Sequence, residues 1–183
     1  MRMDQEQGLT ASEILNSYAQ EDLEKIFREN GEIVNSRQLV REIISNRSLE
    51  PIENTQQLRN ISLKTAPRGK ENQYLAKVFQ AIRIEVNDEI GSLKEMIRQA
   101  TDLLNPGGRL VIISYHSLED RIVKNYFRYG NFEGVPVKDF FGKQIAPLLP
   151  VIRKAIVPEE TEQINNPRSR SAKLRIAEKT ENA

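Results

Sequence analysis

The stretch Asn105-Pro106-Gly107-Gly108-Arg109-Leu110-Val111-Ile112-Ile113-Ser114-Tyr115-His116-Ser117-Leu118-Glu119-Asp120-Arg121 decides the fold class. Leu110 to Ile113 is a short unbroken apolar run, rich in β-branched residues, set directly behind a Pro-Gly-Gly turn. Such a run suits a strand buried on both faces of a parallel sheet, because a strand with one wet face alternates instead. Before the turn, Leu75, Val78, Phe79, Ile82, Val86, Ile90, Leu93, Ile97 and Leu104 keep an apolar stripe at helical spacing, with a kink or break at Asn87 or Gly91. After it, Ser117 and Asp120 suggest the cap of a helix carrying Leu118, Ile122, Val123, Tyr126 and Phe127. Helix, buried strand, helix predicts an α/β fold.

Toward the C-terminus, residues 130–150 are rich in Gly, Pro and Phe and read as an irregular connection. Two more strands are predicted, a short one near 153–157 and an alternating one near 172–177, at Lys173-Leu174-Arg175-Ile176. The alternation places this last strand near a sheet edge with one wet face. Toward the N-terminus, residues 9–63 read as several short helices. Thr10 with Glu13 and Ser17 with Gln20 have the spacing of capping boxes. Gly31 reads as a helix stop, since glycine accepts the left-handed conformation, and Ser36 and Thr55 read as openings of later helices. Isolated short helices are marginal and must pack on one another, which predicts a helical subdomain. Thr65-Ala66-Pro67-Arg68-Gly69-Lys70 is a basic, breaker-rich loop.

The chain of 183 residues is long enough for one core with a small appendage. Its net charge of +1 excludes a broad electrostatic attraction to nucleic acid, so any RNA affinity must come from local clusters. The absence of Cys excludes a disulfide framework, a thiolate metal site and a cysteine nucleophile. Met1 to Gln7 are polar and charged, with no signal-peptide pattern, and no apolar run is long enough to cross a bilayer. A cytoplasmic protein without a membrane partner is expected.

Three stretches go beyond generic patterning. They are Val78-Phe79-Gln80-Ala81-Ile82-Arg83-Ile84-Glu85-Val86-Asn87-Asp88-Glu89, then Pro106 through Lys124, and finally Asn166-Pro167-Arg168-Ser169-Arg170-Ser171-Ala172-Lys173-Leu174-Arg175. Together and in this order they closely resemble the RsmH (MraW) family, which methylates N4 of a cytosine in the decoding region of 16S rRNA. Met1-Arg2-Met3-Asp4 also resembles a stretch in the middle of that family's sequence. The resemblance implies a Rossmann-like class I methyltransferase that binds S-adenosylmethionine, with a helical domain inserted into the sheet. Residues 5–66 would be the helical insertion and 67–179 the C-terminal part of the Rossmann-like domain, with about three strands.

The resemblance also implies that the family's first strands, its glycine-rich turn, its ribose-binding acid and its proline-containing loop fall before Met1. The residues agree: the paired glycines Gly107 and Gly108 follow a helix and precede a strand, whereas a nucleotide-type turn follows a strand. The chain by itself is therefore expected to lack most of the cofactor site and to be inactive alone. Two other readings stay open, a non-catalytic RNA-binding remnant and a truncated gene product.

For the site, a cytosine amine is a poor nucleophile because its lone pair is delocalised into the ring. An enzyme must accept its hydrogen bonds, orient its lone pair and exclude water. Ligands of open α/β sheets bind beyond the carboxyl ends of strands. Ser114 and His116, just past the predicted strand, are the candidate catalytic residues lining a base pocket. His116 has a second role open to it, bonding the next turn and shaping the start of the following helix, and Ser117 reads as a helix cap. Arg168, Arg170, Lys173 and Arg175 form a basic tract without an acid between Gln163 and Ala177. With the last strand antiparallel, as the resemblance implies, Arg168 and Arg170 would clamp phosphates on the same rim as His116; solvated charges on an edge strand are the alternative. Arg83 is a further candidate for RNA contact, or else a salt-bridge partner of Glu119 or Asp120. Arg68 and Lys70 are candidate phosphate contacts in the loop. The expected partner is 16S rRNA within the small ribosomal subunit, and an unprotected edge at Leu110–Ile113 predicts self-association.

Overall fold

A computed structural model describes residues 8–142 and 144–181. The resemblance at Met1-Arg2-Met3-Asp4 lies outside the described residues, as does the start of the expected insertion at residues 5–7. The chain divides into two compact units, Met1–Glu89 and Ile90–Ala183.

The first unit is helical: α1 (Ala11–Ser17), α2 (Gln20–Glu29), α3 (Ser36–Arg47), α4 (Thr55–Leu63) and α5 (Glu71–Asn87). The Thr10–Glu13 capping box forms, each residue satisfying a backbone N–H of the other. The Ser17–Gln20 box does not form, because Ser17 is the last residue of α1 and Ala19 occupies the cap of α2. At α4 the box belongs to Asn54 and Gln57, one residue before the expected Thr55. The core gathers Ile14, Leu23, Phe27, Leu39, Val40, Ile43, Leu58, Val78 and Ile82, all buried. Each such side chain contributes about 1.5–3 kcal/mol by leaving water. Helix α5 belongs to this packing, against α1, α2 and α4.

Gly31 follows α2 as expected, but not for the expected reason. It carries no positive φ. A Cβ there would lie 2.8 Å from the Phe27 carbonyl oxygen and 3.0 Å from that of Lys77, so the glycine permits close approach of α2 and α5. Helix α5 ends at Asn87, one of the two residues expected to mark the break, and Asp88 caps it in the left-handed conformation with φ of 44°.

The second unit holds α6 (Glu89–Leu103) from Ile90 onward, β1 (Arg109–Ser114), α7 (Ser117–Tyr129), β2 (Leu148–Pro150), α8 (Glu160–Asn165), a 3-10 turn (Pro167–Ser171) and β3 (Lys173–Lys179). The α/β class holds. The sheet order is β1-β3-β2, with both neighbours antiparallel to β3. Leu110 faces Ala177, Ile112 faces Arg175 and Ser114 faces Lys173. The antiparallel last strand and the edge position of β1 agree with expectation.

Three expectations fail. The strand expected near 153–157 is reduced to a single bridge between Ile156 and Leu174, and Leu148–Pro150 takes the ladder position. The alternating strand is central rather than at an edge. Strand β1 is not buried on both faces, since Ile112 and Ser114 are buried while Val111 and Ile113 are each 52% exposed. The cause is a reversal of the expected faces. Partners across an antiparallel pair share a face, so Ile112, Ser114, Lys173 and Arg175 lie on one side of the sheet. That side carries α7, because Lys173 and Arg175 reach Asp120 in its first turn. The charged positions of β3 thus face the covering helix, neutralised by Asp120, and Leu174 and Ile176 share the opposite face with Val111 and Ile113.

Candidate functional site

The carboxyl end of β1 runs straight into α7, and the junction is built between Ser114 and Glu119. Ser114 is buried, and its hydroxyl donates to the Lys173 carbonyl at 3.4 Å. The Tyr115 N–H donates to a Glu119 carboxylate oxygen at 2.9 Å. His116, rather than Ser117, is the N-cap of α7: its Nδ1 accepts the Glu119 N–H at 3.3 Å, and its own N–H donates back to the Glu119 carboxylate. The structural role left open for His116 is therefore real. It removes two of the unpaired donors that every helix start leaves.

With Nδ1 accepting, a neutral His116 ring carries its proton on Nε2. That atom lies 3.1 Å from Glu119 Oε1 but is not aligned for a hydrogen bond, and it is buried without an aligned acceptor among the described residues. Burial works to raise the Glu119 carboxyl. The His116 ring and the Tyr115 and His116 N–H groups outweigh it and hold that carboxyl below its usual range.

One residue further, Asp120 is 8% exposed and accepts from the Arg175 guanidinium at 2.7 and 3.1 Å and from the Lys173 ammonium at 3.2 Å. Burial pushes its carboxyl up, but the two cations prevail and keep it below the ordinary value. This cluster ties the start of α7 to β3. Sequence reasoning placed Lys173 and Arg175 in a basic tract and missed their partner, because the acid stands more than fifty residues upstream.

Arg168 and Arg170 sit in the 3-10 turn just before β3, whose first residue faces Ser114. Ser169 between them is buried, with its hydroxyl on the Asn166 carbonyl at 2.8 Å, and it anchors the turn. Both arginines are exposed and make no ion pair among the described residues. Helix α8 packs on this turn and carries Glu160 and Glu162, so the positive field is local. The structure thus brings Ser114, His116, Arg168 and Arg170 to one end of the second unit's sheet.

The other candidates lie in the first unit. Arg83 pairs with Glu89 at 2.7 and 3.0 Å, so the salt-bridge alternative holds with a different acid from Glu119 or Asp120. The nearer acid wins because Glu89 stands just beyond the end of α5. Arg68 and Lys70 are exposed in the loop before α5.

The glycine pair does not form a cofactor cradle. Gly107 and Gly108 extend the β1–β3 ladder, exchanging backbone hydrogen bonds with Lys179 at 3.0 and 2.8 Å. A Cβ on Gly108 would strike the Asn105 carbonyl at 2.8 Å and the Leu104 side chain at 2.9 Å, so its small size serves the end of α6. The strand-to-helix turn from β1 into α7, at Tyr115 and His116, contains no glycine and is closed by the Glu119 carboxylate. The described residues do not by themselves fit an adenosyl cofactor.

A family model described as the MraW methylase family matches residues 1–180. A protein of Amoebophilus asiaticus named ribosomal RNA small subunit methyltransferase H is 54% identical over 180 residues, 98% of this chain and 58% of the relative. Proteins of the same name from Bacteroides fragilis and Flavobacterium johnsoniae are 51% and 47% identical over 179 residues, 59% of each relative. The chain therefore spans somewhat under three fifths of the length of these relatives. No helix among the described residues is long and apolar enough to cross a membrane.

Proposed function

Because the chain belongs to the MraW methylase family, we propose that it supplies the substrate-facing part of an S-adenosylmethionine-dependent methyltransferase acting on the N4 amine of a cytosine in 16S rRNA of the small ribosomal subunit. One observation carries the reading: the carboxyl end of β1, with Ser114 and His116, lies at the same end of the sheet as two arginines that no acid among the described residues neutralises. That is where ligands of α/β sheets bind and where a phosphate finds charge-assisted donors.

In this reading the 5–66 segment is the helical insertion and 67–179 the C-terminal part of the Rossmann-like domain, with α5 packed among the insertion's helices. Arg168 and Arg170 hold the phosphates flanking the target base. Ser114 and His116 line the wall against which the base rests. Lys173 and Arg175, held by Asp120, keep the strand behind that wall in place. The amine's proton leaves after methyl transfer, so no strong base is required. The methyl donor supplies an activated sulfonium methyl, and its binding groups lie outside these 183 residues. Taken alone, the chain neither binds S-adenosylmethionine tightly nor methylates RNA, and it works in the cytoplasm alongside ribosome assembly. The unpaired arginines beside a junction without a cofactor cradle also support a second reading, an RNA-binding remnant without catalysis.

Calorimetry with S-adenosylmethionine and a tritiated-methyl assay on immature small subunits test this. The chain alone should show neither micromolar binding nor turnover. Co-expressed with the unmatched N-terminal part of the Amoebophilus asiaticus relative, it should regain RNA methylation, and that activity should fall with Arg168→Ala/Arg170→Ala. Turnover by the isolated chain would mean that the cofactor site was misplaced. A stable but inactive complex, beside an active full-length relative, would favour the RNA-binding remnant.

A further inference from the structure

Past its midpoint, α7 presents Lys124 and Arg128, about 12 and 18 Å along the helix axis from the His116 cap. They line a cavity of about 480 Å³ together with Gln144, Leu149, Ile152 and Arg153. Lys124, Arg128 and Arg153 make no ion pair among the described residues, and no carboxylate lines the cavity. Its fourth cation, Arg175, is committed to Asp120. The walls between these charges are apolar.

Gln144 connects the cavity to a β-hairpin. Its side-chain amide donates to the Arg128 carbonyl. The Lys138–Gln144 bridge and the bond from the Ile145 N–H to the Val137 carbonyl at 2.8 Å close the hairpin. At its tip the Asp139 carboxylate accepts the Phe141 N–H at 2.9 Å. The turn displays Phe140 and Phe141, which are 97% and 91% exposed, with ring centroids 5.7 Å apart in an edge-to-face arrangement. Two neighbouring phenylalanines held out in water mark an interaction site. A protein surface extending from them over the cavity that Gln144 lines would also have to compensate Lys124, Arg128 and Arg153, which make no ion pair among the described residues.

Exposed rings beside a basic groove are the means by which proteins hold single-stranded nucleic acid, with bases on the rings and phosphates on the cations. We infer that hairpin residues 137–142 and Gln144, with the adjoining cavity, bind a single-stranded RNA segment, separately from the Arg168–Arg170 rim. Bases stack on Phe140 and Phe141, and phosphates lie along Lys124, Arg128 and Arg153. The inference rests on the proposed RNA substrate and adds a second contact surface for it, down the length of α7.

Fluorescence anisotropy with a labelled single-stranded RNA of about 12 nucleotides, titrated over a range of salt, tests this on the full chain. Phe140→Ala/Phe141→Ala should weaken binding about tenfold or more without changing its salt dependence. Lys124→Gln/Arg128→Gln/Arg153→Gln should lower the slope of log affinity against log salt by about 2. The rings are solvent-exposed, so their removal should leave the melting curve unchanged. If both variants bind like the unaltered chain while Arg168→Ala/Arg170→Ala loses binding, the RNA reading stands and the second surface is refuted. No binding by the folded chain at any salt would sink both. A sedimentation shift from dimer to monomer on losing the two rings, at unchanged RNA affinity, would assign them to a second copy and overturn the inference.

Discussion

Replacing Asp120 by Asn isolates the ion cluster that joins α7 to β3. The amide keeps the shape but removes the charge facing Arg175 and Lys173. Lys173 is 43% exposed along its side chain and can turn to water, whereas Arg175, at 12%, cannot. The loss is therefore dominated by one guanidinium left buried without a counter-charge, which costs about 3–5 kcal/mol. For a unit of this size each kcal/mol moves the melting temperature by about 4–8 °C, so calorimetry at pH 7 should show a fall of at least about 12 °C. The pH dependence has a definite sign. The folded carboxyl is held below its ordinary value, so its contribution is complete above the unfolded value of about 3.9 and fades as pH falls through the folded one. The gap between the two proteins should therefore narrow below about pH 4. Asp120→Asn/Arg175→Met should recover much of the loss, because the stranded charge is gone. A fall under about 3 °C at pH 7, or a gap that persists undiminished into strong acid, would refute the argument.

Other substitutions probe the remaining features. Gly31→Ala places a methyl against two backbone carbonyls and should destabilise the first unit by about 1–3 kcal/mol in urea denaturation; an unchanged midpoint would show that α2 and α5 separate freely. His116→Ala removes the cap of α7 and should cost about 1 kcal/mol, whereas His116→Asn should restore most of it. If the Asn variant also restores methylation in the co-expressed complex, the ring's part in the base pocket is disproved and the cap alone matters. Val111→Lys charges the exposed side of the sheet's free edge and should lower self-association in sedimentation runs. Identical behaviour of the two proteins would mean that the edge does not mediate association.

What the sequence revealed followed how local the physics was. The strand at Leu110–Ile113 and the helix after it were legible because an apolar run and a helical stripe are properties of neighbouring residues. Thr10 and Glu13 were legible for the same reason. The faces of β3 were not, since Lys173 and Arg175 look solvent-bound until Asp120 of another element meets them. The strand position at Leu148–Pro150 was missed because Ile152, Ile156 and Val157 have stronger β character, yet ladder register is set by pairing with β3. For the candidate site, Ser114 and His116 were proposed from residue type and a strand end, and Arg168 and Arg170 from a basic tract together with the antiparallel last strand that the resemblance implies. Arg83 has its acid only six residues on, at Glu89, beyond the end of its own helix. The basic cavity on α7 escaped notice because its cations come from separate stretches of the chain.

The central place of β3 also orders events during synthesis. Ser114 meets Lys173 across 59 residues and Arg109 meets Glu178 across 69, whereas the helices of the first unit find their caps within four. At the usual pace of translation, β1 waits about 3–14 s after its own emergence before β3 exists to pair with it. Over that interval the apolar strand lacks the partner it has in the second unit's sheet, behind helices that have already folded. A ribosome that stalls between residues 115 and 172 therefore releases a product whose first unit is sound and whose Leu110–Ile113 segment is an adhesive end, a natural substrate for chaperones or proteolysis.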